Sequence, residues 1–104
     1  MILSEFVNVL LGVTPSVYQD EANQEPDEYL VWTMVSDKTF RADNLETECA
    51  LRINVRIFTK SGNSELPAKL KAALMKNDIA YEDFEYEYIT DLKYGIYSTF
   101  CEVD

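Results

Sequence analysis

The segment ECALRINVRIFT, residues 48–59, decides the fold of this 104-residue chain. Leu51, Ile53, Val55 and Ile57 alternate with polar or small side chains. This period of two is typical of a strand that buries one face and exposes the other. The segment therefore predicts a strand of a sheet, with a core on the side of these four aliphatic residues.

Helical periodicity occurs once on each side of this strand. The apolar stripes are Leu3, Phe6, Val7 and Leu10 in the first predicted helix, and Leu66, Leu70, Ala73 and Leu74 in the second. Gly12 is expected to end the first helix, since glycine favours the position just after a helix. Ser64 is expected to cap the second helix, and Asn77 with Asp78 to end it.

Three further strands are predicted, over residues 29–35, 84–90 and 94–103, with a short extended piece near Tyr18. Residues 36–48 are rich in turn-forming side chains and form either a long hairpin loop or two protruding strand extensions. The whole chain is then a single α+β domain. It has a mainly antiparallel sheet of four to five strands and two helices, in the order helix, short strand, strand, strand, helix, strand, strand.

The net charge of the chain limits the classes of partner that it is expected to bind. It has 19 acidic and 9 basic residues, a formal net charge of −10, and no histidine. Direct nucleic-acid binding is not expected, because phosphate neutralisation needs clustered Lys and Arg. No apolar run approaches the roughly 20 residues that span a bilayer, so no membrane partner is expected. Cys49 and Cys101 are expected to be reduced structural cysteines.

Catalytic equipment is scarce in the sequence. Without histidine the usual general base at neutral pH is missing, and the glycines form no phosphate-binding loop. Carboxylate pairs such as Glu85 with Glu87 catalyse only in a pocket that separates their pKa values, and no sequence pattern indicates one. We therefore predict a protein that is not an enzyme and has no cofactor and no catalytic or metal site.

Two sets of residues are candidates for contacts. In the turn-rich segment, Lys38, Phe40, Arg41, Asp43 and Asn44 combine one aromatic residue with both signs of charge, as in an interface. A Phe40 side chain folded back over its own sheet is the competing interpretation.

The second set lies in the strand of residues 84–90, where Glu85 and Glu87 alternate with Tyr86 and Tyr88. One face of this strand is therefore predicted to be acidic. For Tyr86 and Tyr88 the pattern favours packing in the fold over a role at an interface.

The order of several short motifs resembles the small tail-completion proteins, or tail terminators, of tailed phages and prophages. The matching fragments are Pro26 with Tyr29-Leu30-Val31-Trp32, Ala42-Asp43-Asn44, Thr59-Lys60, the Leu66, Leu70 and Leu74 stripe, Ile79-Ala80-Tyr81-Glu82, Tyr88-Ile89, and residues 94–100. Each fragment is common alone, and their order over residues 15–104 carries the resemblance.

The resemblance implies a structural role in the virion, after assembly in the host cytoplasm. Such proteins form a homo-oligomeric ring, usually a hexamer, at the head-proximal end of the tail. Their partners are the tail-tube protein and the head connector, and the ring stops tube growth and helps join head to tail. In such a ring, Glu85 and Glu87 are expected to face the lumen and repel passing DNA.

A rival function follows from charge alone. An acidic inhibitory binding module would occupy a nucleic-acid-binding protein by mimicking phosphate charge. A carboxylate-based hydrolase is a third and weaker interpretation. The sequence favours the ring-forming structural protein over both.

Overall fold

The computed structural model describes residues 3–22, 26–42, 45–60 and 64–103, with the backbone alone in 36–42 and 45–50. In chain order the elements are α1 (Leu3–Val13), β1 (Val17–Gln19), β2 (Glu28–Ala42), β3 (Leu45–Thr59), α2 (Leu66–Lys76), β4 (Ala80–Tyr81), β5 (Glu85–Ile89) and β6 (Tyr94–Val103). The predicted α+β class is confirmed, and the predicted element order is confirmed apart from β4, which was not predicted.

The sheet is mixed and has six strands in the described part of the chain. Its order is β1-β2-β3-β6-β4, and β5 also pairs with β6. β1 is parallel to β2, whereas every other pair is antiparallel. The predicted number of strands, four to five, was therefore too small. The strand that was missed is β4, which has two residues and pairs with β6 at Cys101 and Glu102. So short a pairing leaves no periodic signal in a sequence.

Strand extensions, and no long loop, follow Val35. β2 continues to Ala42 and β3 begins at Leu45, and these two residues pair with each other. The ladder is interrupted by register shifts between Met34 and Ser36 and between Thr39 and Arg41. Such irregularities remove strict alternation, which explains why the sequence pattern of this segment indicated turns.

Both helices pack on one face of the sheet. The core there contains aromatic and aliphatic side chains from every layer: Phe6, Leu10, Val13, Leu30, Trp32, Ile53, Val55, Ile57, Leu66, Leu70, Leu74, Ile79, Cys101 and Val103. As predicted, Ile53, Val55 and Ile57 are fully buried, and Leu51 is half-buried. Gly12 does not end α1, which continues to Val13 because the Val13 side chain joins this core.

The start of α2 is held by a side-chain network. The Ser64 hydroxyl accepts a 3.2 Å hydrogen bond from the Leu66 amide and donates to the Glu28 carboxylate. The Thr59 hydroxyl donates to the same carboxylate at 2.9 Å. α2 ends at Lys76, and the Asn77 side-chain amide donates to the Ala73 carbonyl at 2.8 Å. The predicted end at Asn77 is confirmed, whereas Glu65 and not Ser64 is the N-cap residue, so the predicted cap was one residue early.

The other face of the sheet has a small aromatic cluster of its own. Tyr29 is buried and stacks on Phe58 with ring centroids 4.7 Å apart. Tyr18 and Tyr94 meet the Tyr29 ring edge-on at 6.0 and 5.7 Å. We call this side of the sheet the helix-free face. Among the described residues no helix is both long and apolar enough to cross a membrane.

Candidate assembly surfaces

The β2–β3 hairpin extends well beyond the rest of the sheet. β6 pairs with β3 only from Leu51 to Thr59, and β1 pairs with β2 only from Leu30 to Trp32. The ribbon of residues 38–42 and 45–50, which we call the arm, therefore has no third strand beside it in the described structure. The longest dimension of the molecule is 50 Å, against 26 and 25 Å across.

The arm is a two-stranded ribbon whose outer edges pair with no other strand in the described structure. A two-stranded hairpin alone is marginally stable in water, and its outer amides and carbonyls are open to pairing. Of the predicted contact residues, Lys38, Phe40 and Arg41 lie on the β2 side of the arm, where the backbone is described. Asp43 and Asn44 lie outside the described residues. The contacts of all five side chains remain predictions.

β5 forms a second exposed surface, at one edge of the sheet. It pairs with β6 and with no other strand in the described part of the chain. Glu85 and Glu87 are exposed and make no ion pair with a described residue. The side chains of Tyr86 and Tyr88 are 56% and 53% exposed. The interpretation that these two tyrosines pack in the fold was therefore wrong.

Tyr86 nevertheless has a defined position. Its ring lies 4.7 Å from the ring of Tyr97, which packs against the helical core. A Cβ atom at Gly95 would come within 2.8 Å of the Tyr86 hydroxyl, so glycine at 95 leaves room for this ring. Since Tyr86 and Tyr88 share a face of β5, both lie on the helix-bearing side and Glu85 and Glu87 on the helix-free side.

Cations on the helix-free face lie over aromatic rings. Arg52 is 4.5 Å from the Phe100 ring centroid, and its Nη2 atom is 2.8 Å from a Glu82 carboxylate oxygen. Arg56 lies 5.7 Å from the Phe58 ring and makes no ion pair with a described residue. Its buried Nε has no hydrogen-bond partner in the described structure. With its acidic neighbours this face is mixed in charge, unlike a phosphate-binding surface.

The chemistry of the described residues offers no reactive centre. No group of three potential metal ligands occurs among them. Burial raises the pKa of the Cys101 thiol to about 12, so this sulfur stays protonated and unreactive at neutral pH. Three surface depressions hold about 240, 280 and 270 Å³. Each of these three is partly open to solvent.

Comparison with known proteins shows a likeness of fold. No protein-family model matches the chain, and no curated protein matches its sequence. The chain is similar in structure to a chain of the virion of a native gene transfer agent particle, with a TM-score of 0.57 and 9% sequence identity. The similarity covers 90% of this chain and 81% of that chain. At 9% identity, the likeness between the two chains is one of fold alone.

For the two sets of residues chosen from the sequence, the structure gives the backbone of the arm and the exposure of the β5 side chains, and their role in contacts stays a prediction. Sequence reasoning selected the turn-rich segment that forms the arm, and it identified the acidic side of β5. It missed the exposure of Tyr86 and Tyr88, because alternation alone does not tell whether a strand has a neighbour on both sides. The signal that was present is the tyrosine content of β5, since tyrosine is enriched at protein interfaces.

Proposed function

We propose that this protein is a structural subunit of a phage-like virion, a tail-terminator or head–tail joining protein that forms a ring at the head-proximal end of the tail tube. The observation that carries the proposal is the shared fold with a chain of a gene transfer agent virion over 90% of the present chain. The motif resemblance described above supports it independently of structure.

The shape of the molecule suits this role. A ring is built from heterologous contacts, in which one patch of a subunit meets a different patch of the next. The arm and the β5 edge lie at different places on the molecule, and neither pairs with a further strand among the described residues. The subunit therefore offers one surface for a neighbouring copy and another for the tube or the connector.

Tube polymerisation tests the proposal directly. The purified protein is added to polymerising tail-tube subunits, and tube lengths are measured by negative-stain microscopy. We expect tubes that stop growing, with a ring at one end. Tubes of unchanged length without bound density would contradict the proposal.

The arm provides a sharper test of the same function. Replacing Phe40 by alanine and Arg41 by glutamate is expected to reduce ring-capped tubes by at least about tenfold, since an interface aromatic and an interface arginine each contribute about 1–2 kcal/mol or more. The monomer is expected to stay folded, because Phe40 and Arg41 lie beyond the last residue of β3 that pairs with β6.

A matched control uses the exposed residues Leu92 and Lys93 in the β5–β6 turn, as Leu92→Ala and Lys93→Glu. This variant makes the same change of charge and also removes a large apolar side chain. Equal capping by the arm variant and the unsubstituted protein would remove the assignment of the arm.

The lumen placement of Glu85 and Glu87 is part of this proposal. Its support is that both carboxylates are exposed on the helix-free face and are unpaired among the described residues. A cryo-electron microscopy map of ring-capped tubes tests it. Density for β5 on the outer rim of the ring would contradict it.

The same two carboxylates favour the second candidate, an acidic inhibitory module. That function predicts a tight complex with a basic nucleic-acid-binding protein, weakened strongly by salt, and no ring. The tube experiment separates the two, because an inhibitory module leaves tube length unchanged.

A further inference from the structure

The edge strands β1 and β5 lie at the same position along the strand direction of the sheet, and below we call such strands level. Tyr18 of β1 pairs with Val31, Val31 with Arg56, Arg56 with Ser98, and Ser98 with Glu85 of β5. This single row crosses the sheet from one edge to the other. β1 and β5 are thus level with each other at opposite edges, about 20 Å apart at a spacing of about 4.8 Å per strand.

The strand directions at the two edges are opposite. β1 is parallel to β2, and the pairs from β2 to β3, from β3 to β6 and from β6 to β5 are antiparallel. Rotation about a ring axis preserves the component of each strand's direction that lies along the axis. When copies stand side by side in a ring, β5 of one copy therefore runs antiparallel to β1 of the next.

Apolar side chains lie near both edges. On the helix-bearing side of β5 are the exposed rings of Tyr86 and Tyr88. Val17 of β1 packs partly against the core on that same side and is half-buried. Leu11, near the end of α1 that leads into β1, is 45% exposed. Neighbouring copies would therefore bring apolar groups together on one face of the joined sheets.

We propose that β5 of one copy pairs with β1 of the next, so that the sheets of the ring join into one continuous band. This inference rests on the ring of the proposed function and names the contact that closes it. Each copy contributes five strands to the row, or about 24 Å of circumference. Six copies, the number that the resemblance implies, give a band roughly 46 Å across.

The contact is weak between two copies and strong in a closed ring. β1 has three residues, and each half-exposed tyrosine offers roughly 100 Å² for burial. A stable pair needs about 800 Å² from each partner, so a single edge contact falls short. Like charges oppose it further, since Asp20 and Glu21 follow β1 while β5 carries Glu85 and Glu87. Closure helps because each copy is then held at both edges.

Engineered cysteines test the pairing. In a Cys49→Ser background, Val17→Cys in β1 and Tyr86→Cys in β5, which lie in one row and on the same side of the sheet, are made singly and together. Ring-capped tubes are oxidised and run on denaturing gels, with Asn8→Cys/Asp91→Cys as a double control on exposed positions away from the two edges. Cys101 is buried and its thiol stays protonated, so it does not interfere.

We expect the double variant to give a ladder of covalent multimers, and each single variant and the control to stay monomeric. No disulfide can form within one chain, because the two edges are about 20 Å apart and a disulfide needs Cα atoms within about 7 Å. Dimers from Tyr86→Cys alone would show β5 meeting β5 and would overturn the inference. Ring-capped tubes without a ladder would overturn the inference and leave the proposed function standing. Tubes without rings would remove both.

The salt dependence of self-association gives a second test, because this contact is expected to strengthen as the salt concentration rises. Raising ionic strength from 0.1 to 1 M shortens the Debye length from about 10 to about 3 Å, so repulsion between like charges weakens. We expect self-association, measured by sedimentation velocity, to strengthen at least about threefold. Glu85→Gln/Glu87→Gln should associate more strongly at low salt, whereas the equally discharged Asp78→Asn/Asp91→Asn, at exposed positions outside the rows of β1, should change less. Association that weakens with salt would contradict the edge contact and indicate a basic partner at β5.

Discussion

Replacing Phe6 by alanine is expected to lower the free energy of unfolding by about 3–5 kcal/mol, which is the range for removing a buried aromatic side chain. Phe6 has no exposed surface and lies in the core between α1 and the sheet. The cost combines the lost transfer free energy of the ring with the cavity that it leaves. Because small domains have about 5–15 kcal/mol in total, this one change removes much of the stability.

Urea unfolding followed by circular dichroism measures the effect of Phe6→Ala. Leu11→Ala is the matched control, because it shortens an apolar side chain of the same helix that is 45% exposed. We expect the control to lose less than about 1 kcal/mol. Equal losses from the two variants would show that α1 is not anchored by Phe6.

Replacing Tyr29 by alanine is expected to cost about 3–5 kcal/mol as well, although Tyr29 lies on the helix-free face. Its ring is 6% exposed and contacts Phe58, Tyr18 and Tyr94. Aromatic pairs contribute about 0.5–1.5 kcal/mol each beyond the area that they bury. The expected loss is therefore close to that for a side chain of the main core.

Tyr88→Ala is the control for Tyr29→Ala, since Tyr88 also lies in a strand but is 53% exposed. Its loss should stay below about 1 kcal/mol in the free subunit. Thermal unfolding of both variants gives the comparison. A mild effect at Tyr29 would mean that the aromatic cluster forms no second core, and β1 would then be held by its backbone pairing with β2 and by the contact of Val17 with the helical core.

Local pattern predicted the elements that bury one regular face. In β3 the alternation of Ile53, Val55 and Ile57 matches their burial, because every second side chain of a strand meets the helices. The leucine stripe of α2 works in the same way, with Leu66, Leu70 and Leu74 buried. Such faces depend on the local period of the chain, which a sequence shows directly.

Features that depend on pairing between residues far apart in the chain could not be predicted from the sequence. The length of the arm depends on where β6 stops beside β3, and this follows from the register of residues about 50 positions apart. The exposure of Tyr86 depends on the lack of a strand outside β5 in the described structure. The level position of β1 and β5 depends on four strand pairs together. None of these has a local signature.

The central place of β6 determines when the protein can fold during its synthesis. β6 pairs with β3, β4 and β5, yet it follows all three in the chain. Leu51 pairs with Val103, 52 residues later, and at about 5–20 residues per second that wait lasts roughly 3–10 s. Until β6 has been made, the edge of β3 that pairs with β6 has no strand beside it. The nascent chain is therefore exposed to aggregation for seconds, and its sheet is completed only after β6 has been made.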